Sequence, residues 1–212
     1  MNLFKLNAIK KIKREKQKDN TRLKLYEREG VLIRPVSWDD LGDNNLISHL
    51  QNWREHNQNA FPSVFKVTYS GTARWLEKEV LEREDRLLFL VSDVYGKTVG
   101  HVGVSSFDYQ HKTCEIDNIV RGKVSLQSNV MRYAMQALLK WIRDNINPEY
   151  IRLRVFNDNT KAINLYHQLG FELNSLYPLM KVENNDGYEW VESNIKIERF
   201  FVSMKLKCEK NL

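Results

Sequence analysis

The order of apolar and polar residues divides the chain after residue 30 into short strand-like segments and longer helix-like segments. Residues 31–36, VLIRPV, predict a first strand. Ser37, with Asp40 three positions later, is typical of a helix start at which the two residues bond each other's backbone. We expect the following stretch to be helical in two pieces interrupted near Pro62, the second of which covers residues 72–83.

The middle of the chain is rich in residues that favour strands. Residues 87–94 and 98–107 predict two strands joined by a hairpin turn, in which Gly96 can adopt a positive φ. Residues 113–120, TCEIDNIV, predict a further strand. Because side chains alternate along a strand, one face is expected to carry Cys114, Ile116, Asn118 and Val120, and the other Glu115, Asp117 and Ile119.

The last third of the chain alternates helices with strands. Apolar residues recur on one helical face between residues 129 and 145, and Pro148 follows the predicted end of this helix. A strand at residues 150–156, a helix at 159–169 closed by Gly170, and strands at 171–177 and 195–206 follow. This order predicts an α/β (α+β) fold with a mixed central sheet of about seven strands and flanking helices.

Charge divides the chain into a basic N-terminal extension, residues 1–29, and a main domain, residues 30–212. Residues 1–30 hold 10 Lys and Arg against 4 Asp and Glu, which leaves 23 residues of each sign in the rest. A helical extension would carry one apolar stripe made of Leu3, Leu6, Ile9 and Ile12. Two interpretations stay open: an amphipathic helix that lies on an anionic membrane surface, and a solvated extension or an arm that contacts a protein partner.

Composition narrows the function classes. The balanced charge of the main domain argues against a nucleic-acid partner, because such surfaces normally carry a basic patch. The longest apolar run is five residues, 87–91, too short to cross a membrane, and the N-terminus lacks the apolar region of a secretory signal. Cys114 and Cys208 form no metal-ligand pattern. We therefore expect a cytoplasmic protein without a metal site, peripheral at the inner membrane face if the extension binds lipid.

Residues 154–171, RVFNDNTKAINLYHQLGF, carry the most specific pattern in the chain. Asn159, Ala162 and Tyr166 share one helical face, and Gly170 and Phe171 follow at the end of the helix. The segment resembles the motif that follows the fifth strand in the GCN5-related N-acetyltransferase (GNAT) superfamily. The resemblance implies an acyl-CoA N-acyltransferase fold for the main domain and acetyl-CoA as the co-substrate.

The resemblance also implies a role for each motif residue. Asn159 is expected to bond the pantetheine arm of the coenzyme or the neighbouring backbone, and the small Ala162 lets the coenzyme lie close to the helix. Tyr166 is expected to protonate the departing thiolate, since a phenol can donate a proton while it stays neutral near pH 7.

Further coenzyme contacts are implied around the strand at residues 113–120. By resemblance, the main chain of Asn118, Ile119 and Val120 pairs with pantetheine like an added strand. The family then expects a glycine-rich phosphate loop, but after Arg121 and Gly122 this chain has no further glycine before the helix. We assign the phosphates to the amides of a helix start formed by Ser128, Asn129, Val130 and Met131. The candidate side-chain partners of the phosphates are Arg121, Lys123 and Arg132.

An acetyl acceptor must present a neutral amine, so a base is expected across the thioester from Tyr166. Glu115 and Asp117 share one face of their predicted strand and are the first candidates. His101, on the preceding strand, is a further candidate. The alternative role is an ion pair with Lys or Arg for each carboxylate, and a buried structural role for His101.

Together these residues predict an N-acetyltransferase that moves an acetyl group directly to a primary amine of a small molecule. The sequence resembles the branch that accompanies bacterial surface-polysaccharide synthesis, in which an amino-sugar nucleotide is the acceptor. In that case the aromatic residues at 53–65 and 177–190 would line the acceptor site. The alternatives are a protein or peptide N-acetyltransferase and, because of the glycine-poor loop, a catalytically silent binding module. A homodimer is a further hypothesis.

Overall fold

The computed structural model of the protein, which describes residues 12–13 and 26–208, contains one large mixed sheet. Its strands are β1 (Tyr26–Arg28), β2 (Val31–Pro35), β3 (Ser63–Phe65), β4 (Arg86–Ser92), β5 (Thr98–Asp108), β6 (Thr113–Arg121), β7 (Tyr150–Phe156), β8 (Glu172–Asn184), β9 (Gly187–Glu192) and β10 (Arg199–Lys207). Its α-helices are α1 (Asn44–His56), α2 (Tyr69–Trp75), α3 (Val130–Asn145) and α4 (Thr160–Gln168). A π-helical segment, Leu76–Leu81, continues α2, and short 3-10 turns lie at Trp38–Gly42 and Gln58–Ala60.

The strand order is β1-β2-β4-β5-β6-β7-β10-β8-β9-β3, with β6 and β7 as the parallel pair. The mixed sheet with flanking helices is confirmed, but the predicted number of seven strands is wrong, because the sheet has ten. The additional strands are β1, β3 and β9. β1 and β3 have three residues each, too few to show a periodic pattern, and β9 extends β8 into a hairpin. β10 begins at Arg199 and not at residue 195, and Ile195 is 98% exposed.

Two hydrophobic cores lie on opposite faces of the sheet, since alternate residues of β4 belong to different cores. The α3 side contains Phe89, which packs edge-on against Trp141 with ring centroids 5.0 Å apart. The α1 side contains Leu50 and Trp53 of α1, packed against the π-helical segment and Leu88 of β4. Both faces of the sheet are therefore covered around β4.

A bulge in β6 changes the side-chain pattern that alternation predicts. The pairing with β5 shifts between His101 and Gly103, opposite Asn118, whose φ is +48°. Asn adopts this left-handed region more readily than most residues. Cys114 and Ile116 lie on the α3 side, but Val120 lies on the α1 side. The prediction that Cys114, Ile116, Asn118 and Val120 share one face is therefore wrong, because the bulge adds one residue to the strand.

β6 and β7 separate after a short paired region. Residues Thr113 to Glu115 of β6 pair with Tyr150 to Arg152 of β7. Beyond these residues the two strands are no longer hydrogen-bonded to each other. β6 stays paired with β5 up to Arg121, and β7 stays paired with β10 up to Phe156. The main chain of residues 116–121 therefore borders an opening between the two strands, which we call the strand cleft.

Of the basic extension before Tyr26, the structure describes Ile12 and Lys13, both helical. The rest of the predicted N-terminal helix lies outside the described residues. Lys13 Nζ donates to the carbonyl oxygens of Val80 at 2.6 Å and Leu81 at 3.3 Å, and also to that of Arg83. Burial lowers the pKa of Lys13 to about 8. Lys13 thus binds the free carbonyls at the end of the π-helical segment.

Candidate active site

The α4 helix begins where β7 ends, at the open end of the strand cleft. Asn159 is the residue before its first turn, and its side-chain oxygen accepts a hydrogen bond from the Ala162 amide at 3.2 Å. This bond satisfies a helix-start amide that has no partner within the helix. It uses the oxygen of Asn159, so the side-chain NH2 group keeps its capacity to donate to a ligand.

Tyr166 lies seven residues later on α4 and is 5% exposed. It belongs to the core on the α3 side and contacts Phe171 edge-on, with ring centroids 6.2 Å apart. Burial raises the pKa of Tyr166, because the phenolate would be desolvated. The hydroxyl therefore keeps its proton at neutral pH, as a proton donor requires.

Residues 122–129 join β6 to α3, and we call them the phosphate loop after their predicted role. Hydrogen bonds to β5 and to the β4–β5 turn hold this loop in place, although it contains no glycine after Gly122. The Gly122 amide donates to the Val99 carbonyl oxygen at 2.8 Å. Ser125 Oγ donates to Asp93 Oδ2 at 2.7 Å. Burial alone would raise the pKa of Asp93, but the bonds from Ser125 and the hairpin amides lower it. The loop is therefore anchored to the turn between β4 and β5.

α3 begins at Val130, directly after Ser128 and Asn129, and Asn129 has a φ of +57°. The amides of its first turn, including that of Met131, have no acceptor within the helix, which makes them the candidate binding position for an anion. Arg132 lies in this turn, and its Nε atom is buried without a hydrogen-bond partner.

The end of β6 completes this group of residues. Asn118, Ile119 and Val120 border the strand cleft, and Arg121 is exposed at its end. The predicted coenzyme residues thus lie around the strand cleft and the start of α3. An orphaned Arg132 donor, free helix amides and an unpaired strand edge fit the phosphates and pantetheine arm of a coenzyme A.

A pocket of about 280 Å3 lies on the α1 side of the sheet. It has apolar and aromatic walls from α1, α2 and the segment between them, and it reaches His101 of β5 and Asn118 at the bulge of β6. The wall residues include Arg54, Phe61, Phe65 and Lys66. We call this cavity the acceptor pocket because it is the candidate site for the amine acceptor. Among the described residues that line it, none is Asp or Glu.

Arg54 lies in the wall of the acceptor pocket between two aromatic rings. Its guanidinium carbon is 4.0 Å from the ring centroid of Phe61 and 5.0 Å from that of Phe65. Nη2 donates to the Ser63 carbonyl oxygen at 2.6 Å, whereas Nη1 is buried without a partner. Burial lowers the pKa of Arg54 to about 10.

His101 faces the same pocket and is 4% exposed. Its Nδ1 atom lies 2.7 Å from the Asn118 carbonyl oxygen. Since a carbonyl oxygen accepts hydrogen bonds, Nδ1 carries the proton and Nε2 has a free lone pair. Burial lowers the pKa of His101 to about 4, so the ring is neutral at pH 7.

The two carboxylates predicted as bases are both held in ion pairs outside the pocket lining. Asp117 Oδ2 accepts from Arg86 Nη2 at 2.9 Å and from Ser105 Oγ at 3.0 Å. Glu115 Oε1 accepts from Arg154 Nε of β7 at 3.1 Å, across the point where β6 and β7 separate. The structure therefore places His101, and neither carboxylate, in the wall of the acceptor pocket.

Trp53 connects the acceptor pocket with the phosphate loop. Its ring lies 6.0 Å from that of His101 and stacks on His49 at 5.7 Å, measured between centroids. The Trp53 indole also fills the space beside Gly122, and a Cβ added at residue 122 would lie 2.0 Å from it. His49 Nε2 in turn lies 2.7 Å from Lys123 Nζ. The buried Trp53 indole thus contacts residues of both the acceptor pocket and the phosphate loop.

Residues 50–171 match the family model described as the acetyltransferase (GNAT) family. This match spans more than half of the chain and includes the second half of α1, the strand cleft and the α4 motif. The chain belongs to the GNAT acetyltransferase family. As a GNAT protein it is an acetyl-CoA-dependent N-acetyltransferase, and the coenzyme is its co-substrate.

Solved GNAT structures share its fold at low sequence identity. Spermidine N-acetyltransferase from Vibrio cholerae, in complex with CoA and spermine, has a TM-score of 0.64 at 17% identity, covering 85% of this chain and 96% of that one. A GCN5-related N-acetyltransferase from Brucella melitensis has a TM-score of 0.66 at 18% identity, covering 87% and 78%. A GNAT acetyltransferase from Bacillus anthracis has a TM-score of 0.63 at 17% identity, covering 86% of this chain and 98% of that one. Among curated proteins, none matches this sequence significantly.

Two further structural findings concern metals and membranes. Residues 12–13 and 26–208 contain no group of three or more His, Cys, Asp or Glu side chains that could hold a metal ion. In the same part of the chain, no helix is both long and apolar enough to cross a membrane.

Sequence reasoning did not identify Arg54 as a pocket residue or Trp53 as the contact between the pocket and Gly122. The concentration of aromatic residues at 53–65 was the available signal, and Phe61 and Phe65 do line the pocket. The second aromatic segment, 177–190, lies on β8 and β9 outside the pocket lining, and its Trp190 packs against Phe156 with centroids 6.3 Å apart.

Proposed function

We propose that this protein transfers the acetyl group of acetyl-CoA directly to the primary amine of a small molecule bound in the acceptor pocket, with an amino-sugar nucleotide as the acceptor class. The observation that carries the proposal is the pocket itself, which reaches the bulge of β6 beside the strand cleft. Tyr166 lies on the α3 side of the sheet and the pocket on the α1 side. A thioester in the cleft would thus have the acceptor on one side and the proton donor on the other.

The charge of the pocket favours the reactive form of an amine. A cation next to a bound ammonium and a wall without carboxylates both lower the pKa of that ammonium. Arg54 and Lys66 supply the positive charge. The acceptor pocket therefore supports a neutral amine nucleophile without a strong base in its wall.

His101 and Tyr166 supply the two proton positions that the reaction needs. His101 Nε2 has a free lone pair and would accept a hydrogen bond from the amine, orienting its nitrogen. As the new N–C bond forms and the C–S bond breaks, the amine loses a proton to solvent and the thiolate takes one from Tyr166, which is then reprotonated from solvent. Acetyl-CoA supplies the activated acyl group. The ion-paired Glu115 and Asp117 then act by holding the strand cleft and β6 in place.

The size and surface of the pocket support the proposed acceptor class. A volume of about 280 Å3 is at the lower end for ligand sites, which favours a small acceptor or the end of a larger one over a folded peptide. Phe61, Phe65 and Trp75 give the pocket an aromatic surface against which a sugar ring can pack. A peptide acetyltransferase would instead need an open acidic groove to receive a basic N-terminus.

A turnover assay with the full-length protein tests this function. Release of free thiol from acetyl-CoA is followed with amino-sugar nucleotides, spermidine and a basic peptide as separate acceptors. We expect the amino-sugar nucleotides to give the highest kcat/KM, with mass spectrometry showing one added acetyl group. If only the peptide or only spermidine is acetylated, the proposed acceptor class is wrong. Binding of acetyl-CoA without turnover of any amine would point to the silent binding module.

A further inference from the structure

Arg54 is a partly buried cation whose charge has no partner within the described part of the protein. Its pKa is lowered by burial, with no carboxylate acting in the opposite direction. Nη2 binds the Ser63 carbonyl oxygen, and the rings of Phe61 and Phe65 hold the guanidinium plane in position. The remaining Nη1 atom is buried without any hydrogen-bond partner.

An unpaired and partly desolvated guanidinium destabilises the folded protein when no ligand is bound. A desolvated guanidinium normally pairs with a carboxylate, and an orphaned buried donor loses its hydrogen bonds to water. Most other buried or half-buried arginines of the fold follow that rule: Arg34 bonds Asp40 at 2.9 Å, and Arg86 bonds Asp117 at 2.9 Å. Arg54 differs from both because it lies in the wall of the acceptor pocket. A ligand in that pocket is thus in a position to supply the missing anion.

We propose that the acceptor carries an anionic group, a carboxylate or a phosphate, which pairs with the guanidinium of Arg54 and makes this residue the specificity determinant of the pocket. The inference rests on the proposed function, because it concerns the acceptor of the same reaction. A guanidinium fixed between two aromatic rings presents a planar donor edge, which matches the geometry of both anions. Lys66, in the same wall, adds to the positive charge.

The same charge disfavours polyamines as acceptors. The Vibrio cholerae structure with a similar fold contains spermine, a molecule with several ammonium groups. In this protein, the acceptor pocket offers Arg54 and Lys66 where such a molecule would need carboxylates. Similarity of fold at 17% identity is thus compatible with acceptors of opposite charge.

Calorimetric titration of the coenzyme A complex of the full-length protein tests the proposal without requiring turnover. Two matched pairs of amines separate the sources of the anion: glucosamine 6-phosphate against glucosamine, and serine against serinamide. Spermidine serves as the cationic comparison. The variants are Arg54→Met, which removes the charge, Arg54→Lys, which restores it without the planar fork, and Arg74→Met, which removes an exposed arginine of α2 outside the pocket lining.

We expect the wild type and Arg74→Met to bind at least one anionic amine about 10- to 100-fold more tightly than its neutral partner, which is the usual range for a hydrogen bond to a charged group. Arg54→Met should lose this preference, and Arg54→Lys should recover part of it. The pair that shows the preference identifies the anion as phosphate or carboxylate. The proposal is overturned if neither anionic amine binds the wild type more tightly than its neutral partner, or if Arg54→Met weakens both members of a pair equally. If the protein acetylates neutral amines in that case, the anion proposal is wrong but the proposed function is still supported.

Discussion

Acidification should destabilise the protein through His101, which is buried in its neutral form. The folded-state pKa of His101 is lowered to about 4 by burial, whereas a histidine in an unfolded chain titrates near about 6.5. Below pH 6.5 the unfolded chain therefore binds a proton that the folded protein does not. Stability thus falls as the pH decreases from about 6.5 to about 4, and the loss is complete below the folded-state value. The difference between the two pKa values corresponds to about 3 kcal/mol.

Urea unfolding of the wild type and His101→Asn between pH 7.5 and pH 4 measures this contribution. Asparagine keeps a donor near the Asn118 carbonyl oxygen but does not titrate, so other groups contribute equally to both proteins. The wild type should lose about 3 kcal/mol more than the variant over this range, and the histidine NMR resonances of the folded protein should include one that does not titrate above pH 5. Equal pH dependence in the two proteins would refute the inferred neutral, buried state of His101.

Three further perturbations test other parts of the account. Gly122→Ala should lower the unfolding free energy by about 1–3 kcal/mol and raise the acceptor KM, because the new Cβ would overlap the Trp53 indole; an unchanged urea midpoint would contradict the contact. Tyr166→Phe should lower kcat about 100- to 10,000-fold while the Kd for acetyl-CoA stays within about threefold, as expected for loss of a proton donor alone; equal losses in binding and kcat would argue for a packing role. Lys13→Met should cost about 1–3 kcal/mol in urea unfolding, since it leaves buried carbonyls of residues 80–83 without their donor; stability within about 0.3 kcal/mol of the wild type would show that the contact is weak.

Local signals in the sequence were sufficient for the elements that define the α4 motif. The Asn159 cap, the apolar face that buries Tyr166 and the closing Gly170, with its φ of +89°, each depend on residues within a few positions. The same is true of α3, which was predicted to start one residue early. Such features are set by helix geometry, so periodicity and capping residues reveal them.

Features that depend on distant pairing were not visible in the sequence. The bulge at Asn118 arises from the register of β6 on β5, and it reversed the predicted side of Val120. β3 is a strand because it pairs with β9, about 125 positions further along the chain. The acceptor pocket likewise joins Arg54 of α1 to His101 of β5. Only the folded sheet brings such residues together, so pattern and spacing do not predict them.

Calorimetric titration with acetyl-CoA of the wild type, Asn159→Ser and Asn174→Ser tests the coenzyme site most directly. Serine also caps a helix, so Asn159→Ser should keep α4 while it removes the side-chain NH2 donor, and Asn174 is an exposed asparagine on β8 that serves as the matched control. We predict binding with a Kd on the order of micromolar for the wild type and Asn174→Ser, and about 2- to 10-fold weaker binding for Asn159→Ser. A folded wild-type protein that does not bind acetyl-CoA would contradict the account.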